Sequence, residues 1–480
     1  MISEKDRFYS LDFDGDSINA VIFIEYGIYL LEFLTGGIVV EQNKDRRFAR
    51  IFLVVYLIVV VFVAGYNFVI DPYFCYRVTD KIKYFSYDIT DSPTWKYGLT
   101  KQYTGYDAVW VGSSLSTHVD VEYVNEKMGV NCVGVVQASG RPNIYGEFIR
   151  NIQKKNDLKY VFYELNLTHW CWPSIGTEFD IDQYVADYVK TDSVLDDADY
   201  LLNRRTTKES SFIVAGMLDE KVEQIKNQMG FVSSQKESEN QDDIMPADTV
   251  YSTGSMAKNI ISNNYTWGFR GEEREEDLKI GMNNIDRYVA PLIEENPQTQ
   301  FVFVVPPTGV MVFACLNRAG CLDDYLYIME EMYGKLLSYP NVKIIAANLD
   351  ADYNMDTNHY MDDGHYEPSG ATMMIDFIAK GKNEITSKNL KKRLDEYRTM
   401  ANTFQWPFLK LNFVGDEVSD LQNKLVLLGY EVEVKGVYDD KTEEAVKSLQ
   451  KDHGMEPSGI ALPETLELMD RLVENKRIKS

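Results

Sequence analysis

The sequence predicts an α/β fold: a parallel sheet sandwiched by helices, preceded by one membrane-spanning helix and followed by a small helical domain. Three observations carry this expectation. Between Asp107 and Lys380, short β-branched apolar runs alternate with helix-length stretches, the pattern of βαβ units. Ile51 to Ile70 runs for twenty residues without a charge, long enough to cross a hydrocarbon core. After about residue 413 the chain changes to short amphipathic helices punctuated by glycines.

The totals fit this plan. A chain of 480 residues with 45% apolar content supports two or three domains with a large core. A net charge of −25 argues against nucleic acid as a partner, because phosphate binding needs basic patches. The five cysteines (Cys75, Cys132, Cys171, Cys315, Cys321) are scattered and form neither a disulfide framework nor a C-x-x-C zinc site. Cys315 and Cys321 lie close enough to bridge if exported, and a reduced pair fits equally well.

Lys44, Arg46, Arg47 and Arg50 precede the apolar stretch, and no basic cluster follows it directly. The positive-inside rule then places residues 1–50 in the cytoplasm, 51–70 in the membrane and the bulk of the chain outside. No small-residue cleavage site follows, so the span reads as an uncleaved anchor. Asn19 to Val40 is apolar but carries Glu25, Glu32 and Gly36-Gly37, and reads as a non-spanning segment.

In the outer part, Tyr73 to Gly105 is an aromatic lead-in. Strands are expected at Asp107–Val111, Asn131–Val136, Lys159–Leu165, Phe301–Val305 and Val342–Ala346. Helices are expected at Val119–Met128, Tyr145–Lys155, Glu272–Glu295, Leu322–Tyr339, Ser369–Lys380 and Lys388–Met400. Residues 168–266 break the alternation and read as an insertion or cap. They hold helical patches at Ile181–Val189 and Asp219–Met229 and a polar, acidic run at Ser233–Asp243, the composition of a solvated loop. Residues 383–412 read as a linker between residues 73–382 and 413–475.

The first strand ends in Gly112-Ser113-Ser114. Open α/β sheets place ligands at the carboxyl ends of their strands, and a serine there becomes a nucleophile when a base reaches it. The constellation that could supply the base is Asp362-Asp363-Gly364-His365. His365 would take the Ser114 proton and return it to the leaving group, while Asp362 orients the imidazole. Ser113 is the alternative nucleophile, and His118 is a rival base or a rim residue. Asp350, Asp352, Asn354 and Asp356 resemble the start of a calcium loop. However, Met355 and Met361 replace the glycine and glutamate such a loop requires, so no metal and no cofactor is expected.

These blocks together resemble the SGNH (GDSL-like) hydrolase superfamily, and more closely its membrane-anchored envelope branch of DltD-like and alginate-acetylation-like proteins. The resemblance covers about residues 73–382 and implies a flavodoxin-like sheet. Gly112-Ser113-Ser114 stands at the first block, with Ser113 where the common pattern has Asp. Gly140 stands at the second block and Asn166 at the third, in a Glu164-Leu165-Asn166 context. Asp362 and His365 form the fourth. The resemblance implies Ser114, His365 and Asp362 as catalytic, with Gly140 and Asn166 facing the oxyanion.

Residues 413–475 resemble a type 1, three-helix peptidoglycan-binding domain. The residues that carry this are Leu421-Gln422, Leu425, Leu428-Gly429-Tyr430, Gly436-Val437-Tyr438, Lys441-Thr442, Ala445-Val446, Leu449-Gln450 and Ser458-Gly459. Lys435 and Asp440 depart from the usual residues at their positions. The expected protein is an extracytoplasmic serine esterase or O-acyltransferase acting on a wall polymer or exopolysaccharide. Its expected partners are the bilayer, peptidoglycan and a membrane-bound O-acyltransferase. The alternatives are a non-catalytic SGNH-like scaffold and a wall-binding protein with no active site.

Overall fold

The computed structural model describes residues 43–77, 85–86, 90, 92–171, 185–191, 194–218, 231–232, 251–262 and 274–479. Asn19–Val40, the patch Asp219–Met229 and the acidic run Ser233–Asp243 lie outside the described residues. The chain divides into two compact units, one formed by residues 1–109, 131–158 and 178–241 and the other by residues 110–130, 159–177 and 242–480.

The main sheet has six strands and is mostly parallel. They are β1 (Ala108–Gly112), β2 (Cys132–Val136), β3 (Tyr160–Glu164), β4 (Gln300–Val305), β5 (Val342–Ala346) and β6 (Glu384–Ile385), in the order β2-β1-β3-β4-β5-β6. Strand β4 pairs parallel to both β3 and β5, with Phe303 facing Tyr163 on one side and Ile344 on the other. Strand β6 adds an antiparallel edge, Ile344 to Ile385. The strands β1, β3 and β4 are buried along nearly their whole length. That is why they read as continuous apolar runs instead of alternating ones.

The helices needed below are α1 (Asn43–Ile70), α2 (Val310–Arg318), α3 (Leu322–Leu336), α4 (Pro368–Lys380), α5 (Leu390–Thr403), α6 (Asp416–Leu428), α7 (Asp440–Asp452) and α8 (Pro463–Lys479).

In the first unit, Ala49–Ile70 of α1 is long and apolar enough to cross a membrane. Its side chains face outward, with Val61 70% and Phe62 72% exposed. Its carboxyl end is tied down. The Asn67 amide donates to Leu201 O and Thr207 Oγ1, both at 2.8 Å. Asp71 ends the helix at φ 52°, and its carboxylate accepts from the N–H groups of Cys75, Tyr76 and Arg77 and from the Tyr200 hydroxyl. Burial still holds the Asp71 carboxyl above the usual range, although these bonds oppose it.

In the second unit three expectations are revised. The helix expected over Glu272–Glu295 is interrupted: Arg274–Asn284 is α-helical, Ile285–Val289 is a π turn and Ala290–Glu295 is α-helical again. Pro291 has no N–H to donate, and the wide turn just before it absorbs the missing bond. The helix expected from Ser369 begins at Pro368, and proline suits a first helical position. Residues 383–412 are not a bare linker. They contain β6 and α5, and α5 buries Leu394, Tyr397 and Met400. The spacing of these residues is that of an amphipathic helix, so they extend the core.

The end of the chain is three helices, α6, α7 and α8. Leu421, Leu425, Val446, Leu449 and Met469 form their core. Two buried glutamines hold the connecting loops. Gln422 Oε1 accepts from the N–H groups of Lys435 and Gly436, and Gln450 Oε1 accepts from Gly459 N–H. Gly436 (φ 65°) and Gly459 (φ 74°) both adopt the left-handed conformation that these turns need.

Candidate active site

Strand β1 stops at Gly112 because the next turn folds back tightly. A Cβ on Gly112 would stand 2.0 Å from Ser116 Oγ and 2.8 Å from Glu164 Oε2. Ser113 then caps the single 3₁₀ turn Ser114–Ser116, accepting from Leu115 N–H. The turn sits on a buried carboxylate at the end of β3. Glu164 accepts from Ser113 N–H at 2.9 Å, from the Ser113 hydroxyl at 2.5 Å and from the Ser116 hydroxyl at 2.7 Å. Trp110 Nε1 donates in turn to Ser116 Oγ at 3.0 Å. Burial pushes the Glu164 carboxyl above its ordinary 4.5, and the three bonds to Ser113 and Ser116 counter that push.

This arrangement separates the two serines. Ser113 is completely buried, and its hydroxyl is donated to Glu164. Ser114 faces outward, and its Oγ lies 2.9 Å from His365 Nε2. Across the ring, His365 Nδ1 lies 2.8 Å from Asp362 Oδ2. An ionised carboxylate only accepts, so Nδ1 carries the proton and Nε2 presents its lone pair to the Ser114 hydroxyl. His118, the rival base, is instead paired through Nε2 with the Tyr251 hydroxyl at 3.0 Å.

The histidine loop is held rigidly. Asp362 Oδ1 accepts from the N–H groups of Gly364 (2.9 Å) and His365 (2.7 Å), so one carboxylate shapes the turn and orients the ring. Tyr360 and Tyr366 pair across the loop base, and the Tyr366 hydroxyl donates to Leu115 O of the Ser114–Ser116 turn. Burial alone lowers the His365 pKa. The hydrogen bond and charge of Asp362, with Asp363 and Glu164, outweigh it and leave His365 above its ordinary 6.5. For Asp362 burial raises the pKa, but the bonds from His365 and Gly364 bring it below 3.8.

Asn166 caps the short helix Leu167–Cys171. Its Oδ1 accepts from Thr168 N–H at 3.1 Å, and the residue lines the same cavity as Ser114 and His365. Gly140 belongs to the other unit. Its N–H is donated to Gln137 O at 2.8 Å, closing its own turn, and a Cβ there would stand 2.4 Å from the Tyr145 hydroxyl. The acids of the calcium-like stretch have structural roles: Asp350 and Asp356 cap short helical turns, and Asp350 pairs with Lys382 at 2.7 Å. Among the described residues no cluster of histidine, cysteine and acidic groups is placed to hold a metal, and all five cysteines are free thiols.

Glu164 is not among the residues the sequence singles out. The signal for Glu164 is a lone acid closing an otherwise apolar strand, Tyr160–Glu164. A buried charge at such a position needs partners.

Residues 414–469 match the peptidoglycan binding domain family. The chain carries a C-terminal peptidoglycan-binding domain. A solved structure of a peptidoglycan-binding protein from Clostridioides difficile, in complex with glutamine hydroxamate, is 36% identical over 14% of this chain, with a TM-score of 0.14. The match covers 42% of that chain, less than half its length. No curated protein matches. The peptidoglycan-binding domain points to the cell-wall side as the place where this chain works, and Ala49–Ile70 is a candidate anchor.

Proposed function

We propose that this protein is an SGNH-type serine acyl-transfer enzyme of the cell envelope. In this reading it is anchored in the membrane by α1, held on peptidoglycan by its C-terminal domain, and acts as an esterase or O-acyltransferase on a wall polymer or exopolysaccharide. The observation that carries this reading is the Ser114–His365–Asp362 relay, with contacts of 2.9 and 2.8 Å, opening into a cavity at the carboxyl ends of the strands.

The chemistry follows from the geometry. Ser114 Oγ attacks the ester carbonyl as His365 Nε2 takes its proton. Asp362 stabilises the imidazolium, and its two backbone hydrogen bonds keep the ring from swinging away. The developing oxyanion would be met by Ser114 N–H, which has no acceptor among the described residues, and by the Asn166 NH₂. His365 then protonates the departing alcohol. Water or a sugar hydroxyl resolves the acyl-serine, giving hydrolysis or transfer. A membrane-bound O-acyltransferase is the partner that would deliver or receive the acyl group.

The test uses the full chain in detergent. A fluorophosphonate probe and p-nitrophenyl acetate are applied to wild type, Ser114→Ala and His365→Ala. Labelling at Ser114 that is lost in both variants supports the enzyme. A folded wild type that neither labels nor hydrolyses gives the place to the scaffold reading.

A further inference from the structure

The segment Tyr251–Ser262 belongs to the stretch expected as an insertion or cap, and it is bonded to two pieces of the site at once. The first piece is the loop that carries His365. Ser252 N–H donates to Tyr360 O at 3.0 Å. Thr253 N–H donates to Asn358 Oδ1 at 3.1 Å, and the Thr253 hydroxyl lies 2.7 Å from that of Thr357. Ser252 Oγ also accepts from Ser255 N–H at 3.1 Å, which caps the helix Thr253–Ser262. Met256 seats that helix. It is fully buried, and a Cβ on Gly309 would stand 2.5 Å from Met256 Cε and 3.4 Å from Tyr360 Cδ2.

The second piece is the turn that carries Ser114. The Tyr251 hydroxyl lies 3.0 Å from His118 Nε2. His118 follows Thr117, which donates both its N–H (3.2 Å) and its hydroxyl (2.6 Å) to Ser114 O. On the facing loop, Tyr360 pairs with Tyr366, and Met361 N–H donates to His365 O at 3.0 Å. The bonds therefore close a circuit: from Ser114 to His118, across Tyr251 to Tyr360, and from His365 back to Ser114 at 2.9 Å. All of these residues belong to the second unit.

The Tyr366–Leu115 bond already joins the loop to the turn at one point. One point of attachment lets two pieces pivot about it. A second, at His118 three residues further on, opposes the pivot. The bridge is built from a hydroxyl that stays protonated: burial, then the charges of Glu367 and Asp362, hold Tyr251 above its ordinary 10.0. From this geometry we infer that Tyr251 and His118 are positioning residues, their bridge fixing the Ser114 turn against the His365 loop so that Ser114 Oγ and His365 Nε2 stay within transfer distance. The inference rests on the acyl-transfer reading above and adds two residues that act through Ser114 and His365 instead of on the substrate. A displacement of about 1 Å between reacting groups can cost about a hundredfold in rate. Loosening one of two attachments is therefore expected to cost about tenfold.

The experiment measures kcat and KM for p-nitrophenyl acetate, with fluorophosphonate labelling, on the full chain in detergent. The variants are Tyr251→Phe, His118→Ala, His118→Gln and the double variant Tyr251→Phe/His118→Ala. Thermal midpoints confirm that each is folded. Tyr251→Phe keeps the ring and removes only the hydroxyl. It is expected to lower kcat and the labelling rate about tenfold and to leave KM within about twofold. His118→Ala should lose about as much, and the double variant no more than either single change, since all three break the same bridge. His118→Gln places an amide near the Nε2 position and should recover most of the rate, which a histidine acting as a base would not allow. A wild-type kcat in Tyr251→Phe, a change confined to KM, additive losses in the double variant, or no recovery in His118→Gln each overturn the inference while leaving the acyl enzyme standing. If the folded wild type neither hydrolyses nor labels, the underlying reading falls and this one with it.

Discussion

The cavity at the sheet ends and the C-terminal domain are built on opposite principles. The C-terminal domain is contiguous: residues 414–469 contain its core, its turns and its two bracing glutamines. The cavity is lined from the ends of four strands and from helices α2 and α3, and its Ser114–His365 pair spans 251 positions. A contiguous domain tolerates change in its partner regions. An assembled site depends on the packing that brings its pieces together. The difference teaches that binding and chemistry in this chain should fail separately.

The largest expected effect breaks the comparison most cleanly. Ser114→Ala or His365→Ala should lower ester hydrolysis by about a thousandfold or more. Sedimentation with purified sacculi should stay at the wild-type level, since neither residue touches the C-terminal helices. Loss of both properties in either variant would show that the two regions are not independent.

The next effect tests the reverse. Leu449 is fully buried in the three-helix core, and Leu449→Ala should cost about 2–5 kcal/mol. Sacculus binding should then be lost on mild warming while Ser114 labelling persists. Calorimetry should show a lowered transition for the C-terminal domain.

Glu164 sharpens the picture on the catalytic side. Glu164→Gln replaces one acceptor oxygen with a donor facing hydroxyls that already donate. The expected destabilisation is about 1–3 kcal/mol, seen as a lowered thermal midpoint. Labelling should slow as the nucleophile turn loosens. An unchanged midpoint would show that the Ser113–Glu164–Ser116 network contributes nothing to the fold.

Activity should also depend on pH through His365. Only the neutral ring accepts the serine proton. Because its pKa is raised above 6.5, the acid limb of kcat/KM should have its midpoint above that value. Asp362→Asn removes the main raising partner and leaves the burial, so the midpoint should move down while the rate falls. The linked stability follows the same signs. The His365 contribution is complete below 6.5 and is lost as pH rises through its folded value. The Asp362 contribution is present above 3.8 and is lost as pH falls through its lowered value. A midpoint that does not respond to Asp362→Asn would detach the acid limb from His365.

The smallest effect is a control. Lys424 bridges Asp420 and Asp470 at 2.8 and 2.7 Å on the surface of the C-terminal domain. Lys424→Ala should change its stability by less than about 1 kcal/mol, and salt should shrink the difference further.

Much of this is legible in the sequence. Five of the six strands were visible as apolar runs, because a strand covered on both faces has no polar alternation to disguise it. Strand β6 was not, since two residues at an edge carry no pattern. Asp362 and His365 are three apart, and such local pairs can be read directly. The preference for Ser114 over Ser113 rested on the resemblance alone, because both are hydroxyls at the same turn. Only the carboxylate of Glu164, arriving from the next strand, buries one and leaves the other facing His365.

The sequence by itself determined the alternation of strands and helices, the apolar stretch of α1, the Asp362–His365 pair and the whole of the C-terminal domain. Each rests on local periodicity or on residues close in the chain. Tertiary structure decided which serine faces the histidine, and that Asn166 lines the same cavity as Ser114 and His365. It also decided that residues 383–412 join the core. The reason is physical. A hydrogen bond between groups far apart in the chain leaves no mark on the sequence around either one, and folding alone decides which donor meets which acceptor.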